Sequence, residues 1–201
     1  MSRIIGLTGY AQVGKDTAAA GLVEGFGFEK AAFADGLREF MIELDPFVIE
    51  RKLTGVPTII KYNASLAEWG YEETKRRTDA RDFMVKLGAG ARNILGPDVW
   101  IDAVRHKIER ERDTDWVVTD VRYANEVSMI HDLGGEVWLI TREGCGPANE
   151  EEERSLEDVY PSRWIFNNGT VDDLQAAAAI KLDLYDQARG GRQLEFGDVL
   201  R

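Results

Sequence analysis

The sequence is poor in the residues that would make it secreted, metal-stapled or membrane-bound. It holds one cysteine, Cys145, so no internal disulfide can form, and a lone thiol is compatible with a reducing cytosol. Its two histidines, His106 and His131, fall on separate stretches that read as amphipathic helices, and no Cys/His cluster has zinc-ligand spacing. No apolar run approaches the roughly 18 residues of a membrane span. Lys15 and Asp16 interrupt the N-terminal segment that a signal peptide would need. A cytoplasmic protein with no membrane partner is therefore expected. Internal repeats and low-complexity blocks are missing too, which excludes solenoid architectures.

Positive charge is also scarce. Against 36 Asp and Glu the chain has 25 Lys and Arg, for a formal net charge of −11 and a pI near 4.8. Duplex binding rests on neutralising many phosphates with Lys and Arg, so no nucleic-acid partner is expected. An acidic protein that binds small anions must gather its cations locally, which makes the position of each arginine informative. The run Glu150-Glu151-Glu152-Glu153 reads as a solvated loop or helix start. At 201 residues with 44% hydrophobic content, the chain fits one domain, or one core with an inserted subdomain.

What is present begins at the N-terminus. The apolar run Ile4-Ile5-Gly6-Leu7-Thr8 leads into Gly9-Tyr10-Ala11-Gln12-Val13-Gly14-Lys15-Asp16-Thr17 and then an Ala-rich segment. A strand, a glycine-bounded loop and the first turn of a helix are the context of a phosphate-binding P-loop. The glycines let the backbone curl so that successive N–H groups face a polyphosphate, and the helix adds the positive end of its dipole. Lys15 supplies a mobile cation. The position after the lysine is Asp16, and the hydroxyl follows at Thr17. The plainer alternative is a tight strand-to-helix turn with an incidental lysine.

Downstream, the pattern predicts a helix over 15–24 stopped by Gly25 and Gly27, a strand over 28–33, and a helix capped by Asp35. Periodicity weakens over 45–77, where Pro46, Gly55, Pro57 and Gly70 punctuate the chain. This stretch reads as an excursion over the sheet, too short for its own core. Helical spacing resumes at Thr78, with Phe83, Met84, Leu87, Ala91, Ile94 and Leu95 as an expected buried stripe. A further amphipathic helix is expected over 98–112. The β-prone run Asp115-Trp116-Val117-Val118-Thr119-Asp120 ends in a carboxylate, followed by Arg122 and a helix over 124–133. Strands over 136–141 and 164–167, and a helix capped by Thr170 or Asp172 running to 188, complete the order. The tail from Gly190 is expected to be mobile. Alternation of strands and helices predicts an α/β architecture, a mostly parallel sheet of about five strands flanked by helices in three layers. Strand ends face the ligand crevice in such sheets, so Asp120 and Arg122 belong on the side of the P-loop.

These residues suit phosphoryl transfer, which needs positioning and charge neutralisation more than covalent help. Lys15 and the loop amides from Val13 to Thr17 would hold the β- and γ-phosphates. Thr17 would place its hydroxyl on Mg²⁺, with Asp120 one water removed from the metal or acting as a helix cap. Asp16 is a metal or acceptor candidate, or a helix cap. Arg38, Arg81, Arg92, Arg122 and Arg142 stand at element ends or on helices bordering the crevice. A guanidinium fork suits a phosphate monoester.

The order Gly14-Lys15-Asp16-Thr17, Phe33-Ala34-Asp35-Gly36-Leu37-Arg38, Leu87-Gly88 with Arg92 and Gly96-Pro97-Asp98-Val99-Trp100, Asp120-Val121-Arg122-Tyr123-Ala124-Asn125-Glu126 and Asn167-Asn168-Gly169-Thr170 resembles the deoxynucleoside monophosphate kinases encoded by tailed bacteriophages. The D-x-R-x-x-N-E block is its most discriminating piece. The resemblance implies a P-loop NTPase fold, ATP as phosphate donor, Mg²⁺ as cofactor, and a deoxynucleoside 5′-monophosphate as acceptor. It also implies the cytoplasm of an infected host cell if the chain is phage-encoded. It makes 45–77 an inserted monophosphate-binding excursion within a single kinase domain, with Trp69 among the substrate contacts. It further implies that Arg38, Arg92, Arg122 and Arg81 contact phosphate, that Gly9, Gln12, Val13, Gly14, Lys15, Asp16 and Thr17 cradle the donor, and that Arg142 lies near the donor base. Lys15, Asp16, Asp120 and Arg122 would then be the catalytic set. The chain departs from the family pattern at Ala89-Gly90 and at Glu153. A homodimer is compatible with all of this. Two other functions fit the same loop: a kinase for another small acceptor such as dephospho-coenzyme A, and a non-catalytic nucleotide-binding regulatory protein.

Overall fold

The computed structural model describes residues 2–51, 56–147, 156 and 159–190. The acidic run at 150–153, Gly55, Glu153 and the tail beyond Gly190 fall outside them. In chain order the elements are β1 (Ile4–Thr8), α1 (Lys15–Phe26), β2 (Glu29–Ala31), α2 (Asp35–Leu44), β3 (Phe47–Glu50), β4 (Thr58–Lys61), α3 (Tyr62–Arg77), α4 (Ala80–Leu95), α5 (Val99–Arg110), β5 (Trp116–Val121), α6 (Ala124–Asp132), β6 (Glu136–Thr141), β7 (Arg163–Phe166) and α7 (Val171–Ala188). They form two compact units, one made of Met1–Ala32 with Arg105–Arg201 and the other of Phe33–Val104.

The first unit is built on a five-stranded sheet in the order β2-β5-β1-β6-β7, and each neighbouring pair runs parallel. All five residues of β1 are buried, as expected for a central strand covered on both faces. Ile5 and Leu7 pack with Ala18, Ala19 and Leu22 of α1 and with Leu174, Ala178 and Leu182 of α7. Gly6 points the other way, where a Cβ would stand 2.9 Å from Val121 and 3.4 Å from Ile130 of α6. The result is helix, sheet, helix. The P-loop leaves the end of β1.

Several boundaries move from their sequence positions. α1 continues through Gly25, and Gly27, at φ 70°, ends it by donating its N–H to Leu22 and Val23 carbonyls. Only a residue tolerant of left-handed backbone closes a helix this way at low cost. Asp35 is the first residue of α2 and not its cap; Ala34 holds that position. At α7 the cap is Thr170, whose hydroxyl accepts the N–H of Asp173 at 3.2 Å while the Asp173 carboxylate accepts the Thr170 N–H at 2.9 Å. These bonds to Thr170 hold the Asp173 carboxyl below its ordinary value.

The second unit contains the segment of weak periodicity, 45–77, expected as an excursion over the sheet. β3 and β4 form an antiparallel hairpin, and α3 follows, broken at Gly70 (φ 75°, ψ 172°). The weak periodicity of 45–77 has two sources: the hairpin alternates with period two, and Gly70 resets the helical phase. Met41, Val48, Tyr62, Ala80 and Met84 make the unit's core, so 45–77 is buried only with help from α2 and α4. The expected stripe on α4 is only half covered, with Leu87 packed on this core and Ala91 half-buried. Met84 is buried, but Ile94 is 83% and Leu95 71% exposed.

Candidate functional site

The loop after β1 has backbone geometry that its residues dictate. Gly9 sits at φ 135°, and a Cβ there would lie 2.3 Å from the Ile140 carbonyl oxygen. Gly14 sits at φ 101°, and its Cβ would lie 2.6 Å from Asn167 Nδ2 and 2.9 Å from Leu174 Cδ2. Both positions therefore demand glycine for conformation and for space. Gln12 also adopts a left-handed backbone, at φ 63°. Buried Val13 anchors the loop in the core. The Lys15 ammonium donates to the carbonyl oxygens of Gly9 and Tyr10, each at 2.7 Å. It thus rests on the rim of the loop that it would serve.

A cavity of about 330 Å³ opens beside the loop, lined by Gln12, Gly14, Lys15, Asp16, Thr17, Arg142, Asn167, Gly169, Thr170, Val171 and Leu174. Six of the residues nominated from sequence meet here, including Arg142 from the loop after β6. Gly9 and Val13 shape the loop from behind. Asn167 was not nominated as a lining residue; its signals were its place at the end of an apolar strand and in the Asn167-Asn168-Gly169-Thr170 run. Sequence reading also missed Lys30, whose ammonium lies 2.5 Å from the Asp16 carboxylate, a pair in which Asp16 is 81% exposed.

The next strand end carries Asp120 and Arg122. β1 and β5 pair in register at Gly6 with Val118, then at Thr8 with Val121, so β5 has one more residue than its partner between those points. That bulge falls at Thr119 and Asp120. Bulges re-aim side chains beside sites, and Asp120 is half-buried there. Arg122 is exposed. Its backbone N–H donates to Glu126 Oε2 at 2.6 Å, and the N–H of Tyr123 donates to the same oxygen at 3.1 Å. Glu126 is 6% exposed, so a buried carboxylate fixes the turn that carries Arg122.

Arg38, Arg81, Arg92 and Trp69 belong to the other unit. The Arg38 guanidinium donates to Asp35 at 2.7 Å and to the Tyr71 hydroxyl at 3.2 Å, and lies 5.1 Å from the Tyr71 ring centroid. Burial alone would lower its pKa, but Tyr71 and Asp35 outweigh that and raise it. Arg81 and Arg92 are exposed on α4, eleven residues apart and so on one face, about 16 Å along the axis. Arg77 lies over the Trp69 ring at 5.1 Å. Arg76 and Arg77 hold the Glu73 carboxyl down to about 2. His106 and His131 are exposed, and no group of three or more His, Cys, Asp or Glu suited to a metal occurs among the described residues. No helix among the described residues is long and apolar enough to cross a membrane.

No family model matches the chain. It is 27% identical over 199 residues to a protein of Acanthamoeba polyphaga mimivirus named "Putative deoxynucleotide monophosphate kinase", covering 85% of this chain and 91% of that one. It is 35% identical over 74 residues to "Uncharacterized protein ORF76" of Ictalurid herpesvirus 1, covering 34% of this chain and only 31% of the herpesvirus protein. Among solved structures it is similar to a sugar kinase from Janibacter at 14% identity and TM-score 0.49, covering 91% of this chain and 95% of that one. Dephospho-CoA kinase from Campylobacter jejuni matches at 14% identity and TM-score 0.47, covering 94% and 100%.

Proposed function

We propose that this chain is an ATP-dependent kinase that moves the γ-phosphate of ATP to a deoxynucleoside 5′-monophosphate, giving ADP and the deoxynucleoside diphosphate. The observation that carries this reading is the cavity in which the glycine-bounded loop, Lys15, Thr17 and Arg142 meet. The donor class follows from the chemistry. Inward amides, a helix N-terminus and a lysine neutralise a polyphosphate, and an arginine wall offers a planar cation to a base. The name of the mimivirus relative supports the acceptor.

In this reading an oxygen of the acceptor phosphate attacks the γ-phosphorus and the bond to the β–γ bridging oxygen breaks, leaving ADP. Lys15 is proposed to neutralise charge on the transferring group, and Arg122 is proposed for the same task. Arg38, Arg81 and Arg92 of the second unit are the proposed acceptor-phosphate contacts, and Trp69, within the 45–77 excursion, is a proposed substrate contact. The Thr17 hydroxyl, with the Asp120 carboxylate one water removed, would suit Mg²⁺, a hard cation that takes one or two protein oxygens and fills its shell with water and phosphate oxygens. When bound, the metal shields charge between the β- and γ-phosphates.

Asp16 is drawn toward Lys30, and we assign it to that pair and not to the metal. Asp16→Asn is expected to leave the Mg²⁺ dependence of turnover within about threefold, as for a surface ion pair of small energy. A shift well above that puts the carboxylate on the metal.

The function itself is tested by ADP release on a panel of deoxynucleoside monophosphates, dephospho-coenzyme A and no acceptor. Turnover is expected with at least one nucleotide acceptor. Turnover with dephospho-coenzyme A alone replaces the acceptor, and tight ATP binding with no transfer replaces the enzyme by a regulatory nucleotide binder.

A further inference from the structure

Two adjacent asparagines after β7 hold different walls of the cavity. Asn167 is 7% exposed. Its amide nitrogen donates to the Val13 carbonyl of the P-loop at 2.8 Å, and its backbone N–H donates to the Thr141 carbonyl at 2.8 Å. A carbonyl can only accept, so the donor must be the amide nitrogen. Asn168 is exposed, and its side-chain oxygen accepts the N–H of Glu143 at 2.9 Å. Glu143 follows Arg142 in the loop after β6. Neighbours in sequence thus reach two different loops.

The bond to Val13 bears on phosphate recognition directly. The 13–14 peptide is planar and trans, so its C=O and N–H point in opposite directions. Fixing the Val13 carbonyl on Asn167 fixes the direction of the Gly14 N–H. The alternative peptide orientation would turn a carbonyl toward an anion. Asn168 acts on the other wall, where it fixes the backbone beside Arg142.

We propose that Asn167 and Asn168 are positioning residues that set the two parts of donor recognition separately, Asn167 the polyphosphate grip and Asn168 the nucleoside grip. This rests on the donor-site reading above. Calorimetry with inorganic tripolyphosphate and with ATP, both with Mg²⁺, separates the parts: tripolyphosphate reads the loop, and the gain of ATP over tripolyphosphate reads the nucleoside. Asn167→Ala is expected to weaken both ligands alike, by about tenfold, as for a lost buried hydrogen bond. Asn167→Asp keeps the volume and removes the donor, and should weaken both at least as much. Asn168→Ala should keep tripolyphosphate affinity and cut the ATP gain by about threefold.

An Asn167→Asp protein that binds like the wild type reduces Asn167 to packing and overturns its half. An Asn168→Ala protein that loses both ligands equally overturns the division of labour. Asn168 is exposed, so this second arm reads out even where Asn167 variants fold poorly. Wild-type protein that binds neither ligand overturns the donor site itself, an outcome distinct from either.

Discussion

Lys15→Ala is expected to lower kcat for ADP formation by on the order of a hundredfold and to weaken ATP binding by about tenfold, roughly a thousandfold in kcat/KM. The split follows from the geometry. The amides of the loop and the α1 N-terminus remain in place when the side chain goes, so much of the ground-state grip survives. What disappears is the one cation of the loop that can follow charge as it moves toward the leaving oxygen. Stability should hold, within about 0.5 kcal/mol, because Lys15 is half-exposed and water can replace it on the Gly9 and Tyr10 carbonyls. Lys15→Arg is not a rescue. A planar guanidinium carries its charge spread over a fork and does not fit two convergent carbonyls as an ammonium does. Steady-state turnover, calorimetric ATP affinity and thermal unfolding check the three parts. A Lys15→Ala protein with turnover within tenfold of the wild type removes the lysine from the chemistry.

The P-loop was legible because its requirements are local. Glycine at 9 and 14, a lysine and a hydroxyl between an apolar strand and a helix are all contained in fourteen residues of chain, Ile4 to Thr17. The parallel sheet was legible for the same reason, since each strand is a β-prone run between turn signals. Features made by distant residues were not. The bulge that displaces Asp120 exists only in the pairing of β5 with β1. The Asn167 contact to Val13 joins residues 154 apart in sequence. The apolar spacing on α4 marks a helix face but not what covers it, and Ile94 and Leu95 are largely exposed.

Scarcity alone does not mark an arginine as a phosphate ligand. In an acidic chain a half-buried carboxylate is as strong a reason to keep an arginine as a phosphate is. Arg3 lies 2.6 Å from Asp115 and 3.1 Å from Asp186, tying the start of β1 to the approach to β5 and to α7. Arg163 grips Glu136 across two neighbouring strands at 2.5 Å. Both are structural. Arg142 is distinguished from them by the cavity it lines, a difference that composition does not contain.

Glu126→Ala is expected to cost about 3 kcal/mol of stability, a sum of lost charged hydrogen bonds and the buried donors left behind. The side chain stands three residues into the turn that starts α6 and receives the N–H groups of both Arg122 and Tyr123. A carboxylate that is 6% exposed is expensive to desolvate, and it is tolerated here because two N–H groups and the helix N-terminus face it. Glu126→Gln keeps an acceptor oxygen and gives up the charge, so its loss should be about half as large. The same bonds hold the backbone from which Arg122 projects. Under conditions where each variant is folded, Glu126→Ala should therefore also lose about tenfold or more in kcat, approaching Arg122→Ala, as for a misplaced charge donor. Arg122→Ala itself, an exposed side chain, should unfold within about 0.5 kcal/mol of the wild type. Urea titration at constant m-value and turnover on the same preparations separate the two effects. If Glu126→Ala unfolds like the wild type, the carboxylate is not what fixes the turn. If it is destabilised but turns over normally, the turn is fixed for the fold alone and Arg122 does not depend on it.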